Sequence, residues 1–158
     1  MTGSAARRRH PDDPFGRVKE VLGTKSLRVR SAIELHERIV EGLPRSAVVY
    51  LVSSLQEIKL DETMRVLNIS PRTWHRLKAD EAALGKPLDV EQSARVWSMA
   101  EILAKAQEVL GTREEAEQWL SRPAIGLDSH RPIDLMATPQ GADLVKTLLG
   151  QMEHGVYA

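Results

Sequence analysis

The chain has 158 residues, which leaves room for one or two small domains. Apolar residues make up 42% and charged residues 28%, an ordinary globular balance, and 22 basic side chains offset 22 acidic ones, so any hold on nucleic acid must come from a local patch. With no cysteine, disulfide frameworks, Cys-based zinc sites and thiol catalysis are excluded; this fits a reducing cytosol and sets the expectation of a cytoplasmic protein. No run of about 18 apolar residues is available to span a membrane, and the basic stretch Met1 to Arg9 has no apolar core behind it, unlike a secretory signal.

Residues 1–16 mix Gly, Ser, Arg and Pro and read as a disordered arm. Arg7-Arg8-Arg9 offers charge to phosphates, although a solvated tail is the plainer reading. Ile33, Leu35, His36, Ile39 and Val40 then suggest a short helix stopped by Gly42, with Pro44 suited to the first turn of the next. Ala47, Val48, Leu51, Val52 and Leu55 recur at steps of three and four, as on a helix with one buried face. The β-branched run around Val48-Val49-Tyr50 keeps a strand open, but its length favours helix.

Leu60 to Lys78 reads as two helices around a tight turn. Met64 and Leu67 face inward on the first, and Asn68 stands where the turn needs a residue tolerant of left-handed backbone. Ser70 caps the second helix, Pro71 starts it, and Ile69 is placed to staple onto Trp74. Trp74 and Leu77 point inward, while Arg72, His75, Arg76 and Ala79 share the opposite face. Arginine early in such a helix suits the major groove, because its fork matches guanine O6 and N7. The candidate DNA-binding residues are therefore Ser70, Arg72, Thr73, His75, Arg76 and Lys78. The competing reading is a merely solvated basic face, which the Ser-Pro-Arg-Thr cap makes less attractive.

Asp89, with Gln92 three residues on, opens a long helix. Val96, Met99, Ala100, Leu103, Ala106 and Leu110 form one seam, and Trp97, Ile102 and Val109 a second, so the helix belongs at the centre or at a subunit interface. Gly111 ends it. Thr112 with Glu115 caps the next helix, which carries Ala116, Trp119 and Leu120 and stops before Pro123. Thr138 and Pro139 open the last helix, with an apolar face of Leu144, Val145, Leu148, Leu149 and Met152. No strand, repeat or low-complexity segment stands out, so the fold class is all-α.

No enzyme is visible. His10, His36, His75, His130 and His154 are scattered without metal spacing, and neither a cofactor nor a metal is expected. Asp61-Glu62 and Glu114-Glu115 open helices, where acidic groups favour the positive end of the dipole over acid–base work. Asp128-Ser129-His130 is a turn, not a triad.

Ser70-Pro71-Arg72-Thr73, then Trp119-Leu120, Gly126-Leu127, Arg131-Pro132-Ile133-Asp134-Leu135, Thr138-Pro139-Gln140-Gly141 and Glu153-His154-Gly155-Val156 together resemble the Xre/MbcA/ParS antitoxin family over roughly residues 30–158. The resemblance implies an Xre-like helix-turn-helix domain followed by a helical dimerisation and toxin-binding domain. The corresponding division is an arm at 1–16, an N-terminal domain at 17–88 with the helix-turn-helix at 60–79, and a C-terminal domain at 89–158. It also implies a RES-domain toxin that degrades NAD as partner, inhibition by a C-terminal segment that blocks the toxin's active site, binding to the operon's own operator DNA, and a homodimer. Carried onto this chain, Arg131, Pro132 and Asp134 would shape the toxin-binding domain. Arg131, Leu148, Met152, Gly155, Val156, Tyr157 and Ala158 are the candidate toxin-binding residues. Asn68 departs from the glycine more usual in the family's turn. Whether the toxin hydrolyses NAD, phosphorolyses it or transfers part of it stays open, as does a second reading, a stand-alone dimeric helix-turn-helix repressor.

Overall fold

The computed structural model describes residues 13–155. Arg7-Arg8-Arg9 at one end, and Val156, Tyr157 and Ala158 at the other, lie outside the described residues. Nine helices are present among those described: α1 Gly16–Val21, α2 Ala32–Glu41, α3 Arg45–Ser54, α4 Leu60–Leu67, α5 Pro71–Ala79, α6 Val90–Leu110, α7 Arg113–Leu120, α8 Pro132–Leu135 and α9 Pro139–Glu153, with 3-10 turns at Glu81–Ala83 and Ile125–Leu127. They contain no strand; the only β-type pairings are isolated bridges, Pro44 with Pro87 and Ala124 with His130.

Local chemistry sets the helix starts. Ser31, Ser70, Asp89, Thr112 and Thr138 each accept the backbone N–H three residues on, satisfying one of the four donors that every helix start leaves free. The stops are equally specific. Gly42, at φ 98°, has Leu88 O only 2.3 Å from where a Cβ would sit, so the α2–α3 joint requires glycine.

Helix α6 is the spine, packing against α1, α2, α3, α4, α7 and α9. Both sequence seams are buried on it: Val96, Met99, Ala100, Leu103 and Ala106 on one, Trp97 and Ile102 on the other, with Leu110 and Val109 half-buried at its end. Polar ties hold it to its neighbours. The Leu43 N–H donates to the fully buried Ser93 Oγ at 2.9 Å, and Arg95 donates to Ala137 O at 3.0 Å and Val66 O at 3.4 Å.

Three expectations change. Residues 13–16, which the sequence assigns to a disordered arm, are bonded into the fold. Asp13 Oδ1 accepts the Phe15 N–H at 3.0 Å, Asp13 pairs with Lys19 at 2.5 Å, and Phe15 meets Trp97 edge-on at 5.8 Å. Burial of Val18, Val21 and Leu22 then docks α1 on α6. Helix α2 forms as expected but buries none of its residues fully; Leu35 and Ile39 pack on the core while Ile33 and Val40 face solvent. On α9, Leu144 is exposed, because the core takes only the narrower stripe of Ala142, Val145, Leu148 and Leu149.

Candidate functional sites

The first site is the α4–turn–α5 unit. Asn68 sits at φ 52°, ψ 46°, its N–H donates to Arg65 O at 3.3 Å, and the Ile69 N–H donates to Met64 O at 3.0 Å. This is the Schellman pattern, which needs a left-handed residue; asparagine tolerates one. Ser70 Oγ accepts the Thr73 N–H at 3.2 Å and donates to Thr73 Oγ1 at 2.9 Å, so Thr73 serves the cap. Trp74 and Leu77 are buried, each contributing about 1.5–3 kcal/mol. Arg72, His75, Arg76 and Lys78 are left exposed on a helix that cannot roll. The Lys78 ammonium lies 5.7 Å from the Trp74 ring centroid, which fixes the end of the basic face. Behind α5 an open cleft of about 830 Å³ mixes Arg45 and Arg76 with Asp80 and Asp89, so the positive surface is the outer side of α5 and not this cleft.

The second site is the α8–α9 end. Arg131 is the N-cap residue of α8, and its guanidinium clasps Asp134 with two bonds of 2.9 Å while reaching Glu62 Oε1 on α4 at 2.7 Å. This hydrogen bonding holds the Asp134 carboxyl below the usual carboxylate range and raises Arg131 above its ordinary value. Arg131 is thus engaged within the chain. Leu148, a candidate toxin contact, is turned into the core: a Cβ on Gly126 would come within 2.8 Å of Leu148 Cδ1. Met152 is half-buried, and Gly155, at φ 70°, is exposed with its N–H on Met152 O at 3.2 Å. Helix α9 is tied to α6 by Lys146 with Glu101 at 3.0 Å and by Glu153 with Lys105. The Lys105 ammonium keeps the Glu153 carboxyl below its usual value.

Two buried carboxylates escaped the sequence reading. Glu62 looked like a helix-opening acid, yet it is buried and joins α4 to α8. Its step of four from the core residue Val66 was the available signal. Glu117 is 1% exposed; it accepts the N–H groups of Gln56 at 2.9 Å and Glu57 at 3.2 Å and faces Arg113 at 3.5 Å, so α7 holds the loop that leads into α4. Among the described residues no cluster of His, Cys, Asp and Glu suits a metal ion, and no helix is long and apolar enough to cross a membrane.

A capped, solvent-facing basic helix on a core shared with a second helical unit defines a two-part helix-turn-helix protein. Comparison with known proteins narrows the class. Residues 34–101 match the family model described as the antitoxin Xre-like helix-turn-helix domain, and residues 105–155 match the antitoxin Xre/MbcA/ParS C-terminal toxin-binding domain. An "Antitoxin Xre" of Pseudomonas putida is 32% identical over 126 residues, 79% of this chain and 74% of the relative. Another of Photorhabdus laumondii is 27% identical over 127 residues, covering 80% and 82%. A "Prs ADP-ribosylating antitoxin" of Sphingobium sp. is 25% identical over 146 residues, covering 85% and 87%. The chain belongs to the Xre/MbcA/ParS antitoxin family and is the antitoxin of a toxin–antitoxin system.

Proposed function

We infer that this antitoxin neutralises a RES-domain toxin that consumes NAD, by placing its C-terminal segment in the toxin's active-site cleft. The observation that carries the reading is the mounting of α9. Its start is capped by Thr138, its length is ion-paired to α6, and Gly155 with Val156, Tyr157 and Ala158 follows directly from its end. A segment delivered from a fixed helix loses less freedom on docking than one delivered from a loose chain. Burying Val156 and Tyr157 in a cleft would contribute a few kcal/mol, at about 25 cal/mol per Å² of apolar area. The Sphingobium relative is named a Prs ADP-ribosylating antitoxin, and ADP-ribosyl transfer ordinarily draws on NAD, which supports NAD chemistry in a system of this kind.

The outer face of α5 supports the second half of the reading, binding of the chain to its own operator. A homodimer would set two such helices on the two half-sites of a palindrome. Both activities place the protein in the cytoplasm, where DNA and NAD are found.

Deletion of residues 155–158 separates the activities. It should abolish protection of cells from the co-expressed toxin while operator binding survives in a gel shift; full protection by the shortened chain would overturn the blocking mechanism. Arg72→Ala with Arg76→Ala should do the reverse. Each lost phosphate contact should lower the salt slope of operator binding by about one, with neutralisation kept. A stand-alone repressor would lose its only function.

A further inference from the structure

Within 105–155, two large apolar side chains are left in solvent: Ile125 is 90% exposed and Leu144 56% exposed. Each is a short step from one buried contact, Gly126 against Leu148. The 3-10 turn that carries Ile125 packs on α9, where Gly126 lies directly against Leu148. Leu144 stands one helical turn before Leu148, on the same side of α9. At 100° per residue it flanks the buried Val145–Leu149 stripe opposite Lys146 and Glu153, whose flank is closed by their ion pairs with α6. One edge of α9 is therefore sealed against its own fold, and the other carries an apolar ridge.

The ridge is rigidly mounted. The Ala124 N–H donates to His130 O at 3.0 Å, the Ser129 N–H donates to Ala124 O at 2.9 Å, and Leu127 is buried beneath. Single exposed apolar residues are common. An isoleucine held almost wholly in solvent on a bonded turn, with exposed Leu144 on the helix which that turn packs against, has the form of a preorganised interface anchor.

We propose that the Ile125–Leu144 ridge is a second toxin contact, seated in a shallow apolar depression of the toxin outside its catalytic cleft. It rests on the reading above that the C-terminal half meets a RES-domain toxin. The toxin is the occupant because the ridge lies within the toxin-binding domain, on the helix that leads to residues 155–158. The ridge holds α9 against the toxin while the tail enters the cleft, so neutralisation uses two footholds. Neither Leu148, which is buried, nor Arg131, which is clasped by Glu62 and Asp134, is needed for the contact.

The test uses the full chain and, as probe, a purified RES-domain protein. Calorimetry gives Kd for the wild type, Ile125→Asp, Leu144→Asp and the pair. Each single change should weaken binding by at least about tenfold and the pair by more. The thermal midpoint and operator binding should not move, since both side chains are exposed. Wild-type binding with variants unchanged within about twofold overturns the ridge and leaves the toxin reading intact. No wild-type binding overturns the toxin reading, and the ridge with it. If the pair leaves toxin affinity alone but lowers the sedimentation mass of the free protein, the occupant is a second copy and the proposal is wrong.

Discussion

Replacing Glu117 with Ala would remove the acceptor that ties the α3–α4 loop to α7 and would leave Arg113 without its counter-charge. Burial already pushes the Arg113 guanidinium below its ordinary pKa, so its charged form is held at a cost that Glu117 offsets. Breaking a buried pair by removing one partner costs about 3–5 kcal/mol. The N–H groups of Gln56 and Glu57 would add about 1–3 kcal/mol each if they stayed dry. They lie in a part-buried loop that water can enter, and the terms overlap, so the expected loss is about 3–4 kcal/mol. Against a total of about 5–15 kcal/mol that is severe, and at about 2–4 °C per kcal/mol it lowers the midpoint by roughly 10 °C. Glu117→Gln keeps an acceptor for both N–H groups and should cost only about 1–2 kcal/mol. Converting Arg113 and Glu117 together to Met removes both charges and should recover about half of the alanine loss. Urea unfolding at pH 7, followed by circular dichroism, measures all three. A Glu117→Ala cost below about 1 kcal/mol, or a double variant no better than the single, would refute the buried-pair account.

Two glycines of α9 should respond with opposite signs. A Cβ at Gly141 would lie 1.9 Å from Leu135 O, so Gly141→Ala should cost at least the upper end of about 1–3 kcal/mol, whereas Gly150 has open space and Gly150→Ala should stabilise by about 0.5–1 kcal/mol in the same urea assay. At Asn68 the left-handed backbone predicts that Asn68→Ala costs about 1 kcal/mol and Asn68→Gly next to nothing, read as shifts in the thermal midpoint. The Asp134 carboxyl has a folded pKa below its unfolded one, so its contribution is intact above the unfolded value near pH 3.9 and fades as pH falls through the folded value. Asp134 is 44% exposed, which limits the contribution to under about 1 kcal/mol, so Asp134→Asn should destabilise slightly at pH 7 and progressively less as pH falls below the unfolded value; an effect that does not shrink with falling pH would contradict this.

The helix-turn-helix was legible because each of its parts is a local event. Asn68 reverses the chain, Ser70 and Pro71 start the next helix, and Trp74 with Leu77 fixes its roll. The opening of α9 at Thr138 was legible for the same reason. Helix α1 was not, since six residues starting at glycine, with no side-chain cap, give too short a window for periodicity. The Glu62–Arg131 contact spans 69 residues, and one chain holds no record of which distant charges meet. Leu144 shows a different limit. Spacing places it next to Leu148, but how much of an apolar arc gets covered depends on the neighbouring elements, and those packed on α9 leave it uncovered.

The same spine decides how the two activities can be taken apart. The helix-turn-helix match ends at residue 101 and the toxin-binding match begins at 105, both inside α6. A cut there would uncover Ile102, Leu103 and Ala106 and strand Glu62, Arg95 and Glu117 without their partners across the joint. Half-chains would then fail because a shared core had been split, and their failure would say nothing about DNA or toxin. Each surface must instead be removed by changing solvent-facing side chains in the intact chain. Arg72 and Arg76 on α5 meet that condition for DNA, and Ile125 with Leu144 meets it for the toxin. Because all four are exposed and the α5 pair lies on a different element from Ile125 and Leu144, the stability effects of the two pairs should be small and should add to one another. Coupling between the sites, if toxin binding alters operator affinity, has α6 itself, the Arg95 bonds, and the Arg131–Glu62 and Glu117–loop ties as its routes. A toxin-dependent change in operator affinity that disappears in Glu62→Gln, with both separate affinities kept, would locate that coupling at the Arg131 clasp.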